Sequence, residues 1–389
     1  MIALIFSLVL HVAAGESINA ALDSARTVYT ERGERTTVLI EPGTYQEELT
    51  IDIPGLTLKN ASRKPSIGLK NGGVDCDEQA VRITWYYGHG YQYKSMGETV
   101  NYGGRRTRRW NASVLVTAPD FRAENIIFEN SFNLYVSEKE AADSLVDISR
   151  SDMPWTEKER PKKQMPVRPK TIGSTEVQKK AYRERAAAIS FTETATNAHL
   201  KNCHAVGRQD VLYGDQGASV YWEGGILAGS VDFIFGALKL AVDRATLVAN
   251  ISNEKNNNCY IAAGRSGAPD KPARGMLFYK CHIRYATEDE LVITPADIDQ
   301  APNRPYLSRP WRWWGETVWA YTTWENDLLN PTGWSTGLVK KQEGYHPENP
   351  CPNSYEYKSQ DGSVGRPKWV TVLSKPQLPD GTKLNPKKW

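Results

Sequence analysis

Five segments of this 389-residue chain repeat one pattern: LTLKNAS at 56–62, FRAENIIFENS at 121–131, AHLKNCHAVG at 198–207, LAVDRATLVAN at 240–250 and MLFYKCHIR at 276–284. Each is a short apolar strand, a polar turn around Asn, Cys or Asp, and a second short strand. Such a unit buries its inward residues only when a neighbour stacks on it, so the repetition predicts coils of a parallel β-helix. A β-sandwich is the structural alternative, and it calls for more regular hairpin turns than this chain has. The spacing of the units is irregular, and repetition alone does not decide between the two.

The N-terminal region reads differently. Residues 2–12 form an apolar run followed by Ala13, Ala14 and Gly15. That has the length and small-residue ending of an export signal but lacks a basic start, and a first buried strand is the alternative. Residues 1–15 are accordingly set apart from a single β-helix domain over 16–389. Ser17 then caps a predicted helix in which Ile18, Ala21, Leu22 and Ala25 share one face, placed to cover an end of the stack. Two stretches interrupt the repeats. Residues 82–112 are aromatic, Gly-rich and basic, and read as a wall of a groove; residues 132–183 are charged and Pro-containing, and read as a solvated loop.

Composition removes several function classes. Forty-eight Lys and Arg against 45 Asp and Glu leave a charge of only +3, too weak to argue for nucleic acid though compatible with an anionic substrate. A mean hydropathy of −0.53 and no apolar run of membrane-spanning length exclude a multi-span membrane protein. The five cysteines, Cys76, Cys203, Cys259, Cys281 and Cys351, show no zinc spacing and leave room for one or two disulfides. Six of the 12 tryptophans, Trp311, Trp313, Trp314, Trp319, Trp324 and Trp334, crowd one stretch. They read either as a surface for sugar rings or as a Trp-rich core.

The chemistry concentrates in residues 207–237. Asp210 and Asp232 lie 22 residues apart, each beside strand-like apolar residues, and the second falls inside VDFIF, where an unpartnered carboxylate is costly to bury. GRQDVLYGD at 207–215 resembles the GYQDTLY motif of pectin methylesterases, and GSVDFIFG at 229–236 their GTVDFIFG motif. YLSRPWRWW at 306–314 is similar to their YLGRPW, GTYQEEL at 43–49 to their GxYxE turn, and RAAAISF at 185–191 stands where the family has QAVAL. The motifs occur in the family's order, from about residue 13 to about residue 345.

The resemblance implies an all-β, right-handed parallel β-helix that hydrolyses methyl esters of galacturonate units in pectin (homogalacturonan). It implies no cofactor, no metal, no nucleic acid or membrane partner, and a monomer that is secreted or periplasmic. By the same resemblance Asp232 is the nucleophile, Asp210 the general acid and then base, Gln209 an oxyanion donor and Arg309 the group that orients Asp232. Trp311, Tyr213, Phe235 and Val231 match positions lining the sugar groove.

Three positions depart from the pattern: Arg185 replaces a Gln of the oxyanion site, Arg208 a Tyr and Ser308 a Gly. Arg185 could serve the oxyanion, a substrate carboxylate, Glu184 or a catalytic aspartate, and the last would depress that aspartate's pKa. Alternatives for the whole chain are an esterase or thioesterase of the same fold, or a catalytically silent carbohydrate-binding β-helix. A lyase lacks its acidic calcium cluster, and a glycoside hydrolase its carboxylate pair about a glycosidic bond.

Overall fold

The computed structural model describes residues 7–89, 91–97, 111–147, 168–178, 185–250, 259–292, 304–325, 327–337, 339–359 and 365–389. Three long sheets wind through them, of eleven, eight and seven strands, with every neighbouring pair parallel. The fold is an all-β parallel β-helix, and the repeats seen in the sequence are its coils. In four of the five, a strand of the eleven-stranded sheet turns into one of the eight-stranded sheet, as Ala198–Lys201 into His204–Val206 and Lys239–Asp243 into Thr246–Ala249, while LTLKNAS supplies only the first strand, Thr57–Asn60.

The turn between them requires a left-handed residue. Asn125, Asn202, Arg244 and Lys280 hold it at φ 58°, 48°, 55° and 54°, a conformation for which Asn is the readiest side chain after Gly. Asn202 donates from its side chain to Asn125 Oδ1 of the coil before, at 2.6 Å. The next residue in the later coils, Cys203, Ala245 or Cys281, is small and buried. That explains the Asn and Cys of the repeat, and all five cysteines are free thiols.

Stacking the coils aligns like side chains. Ala123, Leu200, Trp222, Val242, Phe278 and Trp319 are register partners along the inward face of the eleven-stranded sheet. Phe278 and Trp319 lie ring on ring with centroids 4.0 Å apart. The Trp-rich stretch therefore divides: Trp319, Trp324 and Trp334 are core, while Trp311, Trp313 and Trp314 are half-exposed.

The helix Ile18–Arg32, capped by Ser17, buries Ile18, Leu22 and Ala25 over the first coil. Of the apolar N-terminal run, Ser7–Val12 forms a strand paired with Arg35–Ile40. The basic cluster at 103–109 lies outside the described residues. The described ends of 132–183 lie only partly in solvent: Glu138, Lys139, Lys170 and Ile172 are exposed, but other charged residues are buried. Arg168 and Glu140 form a buried ion pair at 2.8 Å, Tyr93 of the other excursion donates to Glu140 at 2.8 Å, and Arg168 stacks on Phe132. Polar residues that look solvated in sequence are thus partners of one another, and the two excursions pack together.

Candidate active site

The seven-stranded sheet carries the two aspartate motifs and the start of YLSRPW. Leu212–Gly214 and Val231–Gly236 are neighbours, with Tyr213 beside Phe235 and Gly214 beside Gly236, and a bridge pairs Gln209 with Val231. An aspartate in the left-handed region sits just before Leu212–Gly214 and another inside Val231–Gly236, Asp210 at φ 56° and Asp232 at φ 49°. Between Val231 and Ile234 the register against Tyr260–Gly264 slips by one residue. An extra residue of this kind breaks strict alternation. Phe233 and Ile234 both enter the core as a result; Val211 and Leu212 are likewise both in the core, and the aspartate before each pair is left for the other face.

The two coils are stitched there by backbone bonds: Asp210 N donates to Val231 O at 3.1 Å, and Ser230 N and Val231 N donate to Arg208 O at 2.7 and 3.0 Å. Arg208, the substitute for Tyr, is itself buried beneath the motif. Ser308, the substitute for Gly, is buried with its hydroxyl accepting from Trp319 Nε1 at 3.2 Å.

Asp232 is 4% exposed and meets Arg309 as a two-pronged pair, Nε to Oδ1 at 2.7 Å and Nη2 to Oδ2 at 2.6 Å. This geometry fixes both oxygens and supplies the partner a buried carboxylate needs. Arg309 in turn rests on the Tyr260 ring, 4.0 Å from its centroid. Burial alone would lower the pKa of Arg309, but the charge of Asp232 and its hydrogen bonds leave it raised.

Asp210 has a different setting. It is fully enclosed, and its pKa is pushed up to about 8, first by burial and further by the charge of Asp232, against the opposing charges of Arg185 and Arg309. Arg185 Nε stands 3.4 Å from Asp210 Oδ2. Of the partners open to Arg185 the structure brings it to Asp210; Glu184 lies outside the described residues. The depression expected from such a pair is present but is outweighed by burial. Gln209 lies half-buried in the same ladder, bridged to Arg185 on one side and Val231 on the other.

The sugar-groove candidates also come together. Tyr213, Phe235 and Trp311 form an aromatic row with centroids 5.4 and 4.4 Å apart, and Tyr213 donates to Asp215 at 2.8 Å. Val231 lies at the edge of the same face, register partner of Tyr260. Sequence reasoning missed Tyr260, Arg265 and Arg312. Tyr260 could have been found by alternation in CYIAAG, which places it outward on the strand after VDFIF. Among the described residues no group of three or more His, Cys, Asp or Glu converges as a metal site, and no helix is long and apolar enough to cross a membrane.

Comparison with known proteins agrees with this arrangement. The Pectinesterase family model matches residues 172–342, the span holding every site residue named above. A probable pectinesterase/pectinesterase inhibitor 23 of Arabidopsis thaliana is 31% identical over 39% of this chain and 25% of its own length. A second such protein, number 58, is 24% identical over 80% of this chain and 45% of its own. The chain thus spans less than half the length of these relatives. Among solved structures, a pectin methylesterase from carrot superposes with a TM-score of 0.60 at 18% identity, covering 95% of this chain and 88% of that one. A pectin methylesterase in complex with a hexasaccharide superposes at 0.58 and 19% identity, covering 93% and 92%. The structural likeness carries the fold, and the family model with its sequence relatives carries a similarity to pectinesterases over the motif region.

Proposed function

We propose that the chain is a pectin methylesterase, hydrolysing methyl esters of galacturonate units in pectin to methanol and a free carboxylate. The observation that carries this reading is the contrast between two adjacent carboxylates: Asp232 clamped by Arg309, and Asp210 enclosed with its pKa raised to about 8. Groups held apart in this way can divide nucleophile and acid roles between them.

Asp232 attacks the ester carbonyl carbon, with Arg309 holding its oxygens in line. The side-chain amide of Gln209 donates to the developing oxyanion, a contribution of about 3 kcal/mol. The tetrahedral intermediate collapses with cleavage of the bond to the methoxy oxygen, which takes the proton of Asp210 and leaves as methanol. An anhydride then joins Asp232 to the sugar. Asp210, now ionised, removes a proton from water, whose oxygen adds to the sugar-side carbonyl. Collapse returns Asp232 as carboxylate and Asp210 as acid, and the product acid loses its proton to solvent. Tyr213, Phe235, Trp311 and Val231 line the groove for the sugar. The reading includes a monomer acting on extracellular pectin; the pectin methylesterase names of its structural neighbours support the pectin substrate alone.

The test is methanol release from highly methylated pectin by the purified protein. Asp232→Asn and Asp210→Ala should each abolish it with circular dichroism unchanged. Turnover retained by Asp232→Asn would remove Asp232 from its role. Absence of release by the intact protein, with cleavage of an acyl-CoA instead, would replace the pectin reading by a thioesterase one.

A further inference from the structure

Trp311 ends the aromatic row of the groove, and two cations share its ring. The guanidinium carbon of Arg265 lies 4.7 Å from the ring centroid and that of Arg312 4.8 Å. Arg312 donates from Nη1 to Trp311 O at 3.1 Å, while the buried Nε of Arg265 has no acceptor among the described residues. No ion pair joins either arginine to a described carboxylate, in contrast to Arg309, Arg274 or Arg284. Burial and the charge of Arg265 lower the pKa of Arg312, as expected where two like charges lie near each other without an anion.

Beside Arg312 opens a cavity of about 570 Å³, lined also by Pro269, Trp313, Trp314 and Glu343. The volume falls within the usual range for small-molecule sites. Trp313 and Trp314 stand edge to face at 5.4 Å, and their indole N–H groups are tied to Glu343 O and Gly267 O, each at 2.9 Å. Both rings are therefore held in place. Glu343 is exposed and is the one acidic side chain of the lining.

We propose that Arg312, with Arg265, forms an anionic-sugar subsite that takes the free carboxylate of an unesterified uronate while Trp313 and Trp314 hold its ring. The inference rests on the esterase reading and deepens it: the subsite reads a unit of the same polymer that no longer carries its methyl group. Arg312 then favours partly de-esterified chains over fully methylated ones, because a charge-assisted bond forms only with the carboxylate.

The probe is unesterified trigalacturonate, titrated against tryptophan fluorescence of the full chain. Arg312→Gln should weaken binding about tenfold or more, Arg312→Lys should weaken it less, and a neutral trisaccharide should not compete. In parallel, the ratio of kcat/KM on half-esterified pectin to that on fully methylated pectin should fall in Arg312→Gln. Unchanged trigalacturonate affinity in a folded Arg312→Gln variant, or equal competition by the neutral sugar, overturns the subsite. If no methanol is released from any pectin but trigalacturonate binding depends on Arg312, the esterase reading fails and the subsite stands. If methanol is released and both Arg312 readouts stay at the unsubstituted level, the reverse holds.

Discussion

Asp210 is the residue at which structure and proton equilibrium are most tightly linked. Its carboxyl has an ordinary value of 3.8 and is raised to about 8 in the folded chain, so between those values the native state holds a proton that the unfolded state releases. Stability is then fully present below the lower value and falls as pH rises toward the upper one, by at most about 1.4 kcal/mol per unit. Asp210→Asn, which keeps the shape and cannot ionise, should gain thermal stability over the unsubstituted protein at pH 8 and little at pH 4. A gain that is equal at both pH values would show that Asp210 does not carry this linkage. Catalysis by a protonated Asp210 predicts loss of methanol release as pH passes about 8. Arg185→Gln removes the nearest charge opposing that shift, so the alkaline limb should move to higher pH, with activity on methylated homogalacturonan kept or increased. A large loss of activity without movement of the limb would instead make Arg185 an oxyanion donor.

At the scale of the element, the corners are built on left-handed residues, and the two adjacent glycines of one corner behave differently. Gly225 has φ 70°, and a Cβ there would sit 2.1 Å from Cys203 O; Gly224, at φ 65°, meets nothing. Gly225→Ala should therefore cost at least about 2 kcal/mol in urea unfolding, and Gly224→Asn less than about 1 kcal/mol. Equal costs would mean that the corner, not the close approach, sets the penalty. The corners were legible in the sequence because Asn and Gly announce them, as were Ser17 and the apolar face of its helix. The motif aspartates were legible for another reason: a carboxylate in VDFIF breaks an apolar run. Arg265 and Arg312 were not, since each looks like an ordinary loop residue until Trp311 is seen beside it, and alternation marks Tyr260 as outward without showing Arg309 upon it. The buried pair Arg168–Glu140 was missed for the opposite reason, because charged residues in a Pro-containing stretch carry no sign of burial until their partners are known.

In the whole molecule each coil rests mainly on its neighbours, so stability is expected to be distributed along the stack and not shared evenly by all of it. Leu22 of the capping helix is buried in the core at the stack's first end. Leu22→Ala should raise hydrogen exchange in the first coils, through Leu49–Ile51, while methanol release from pectin stays within about twofold. Loss of activity in step with that exchange would show one cooperative unit. The bulge at Asp232 also decides where such a chain can change length. Alternation along a strand has a period of two, so removal of Phe233 would restore strict alternation and reverse which face the neighbouring side chains occupy. A residue gained or lost in a corner disturbs only that corner. The bulged strand Val231–Gly236 is therefore a part of fixed length in a molecule whose other dimensions can drift.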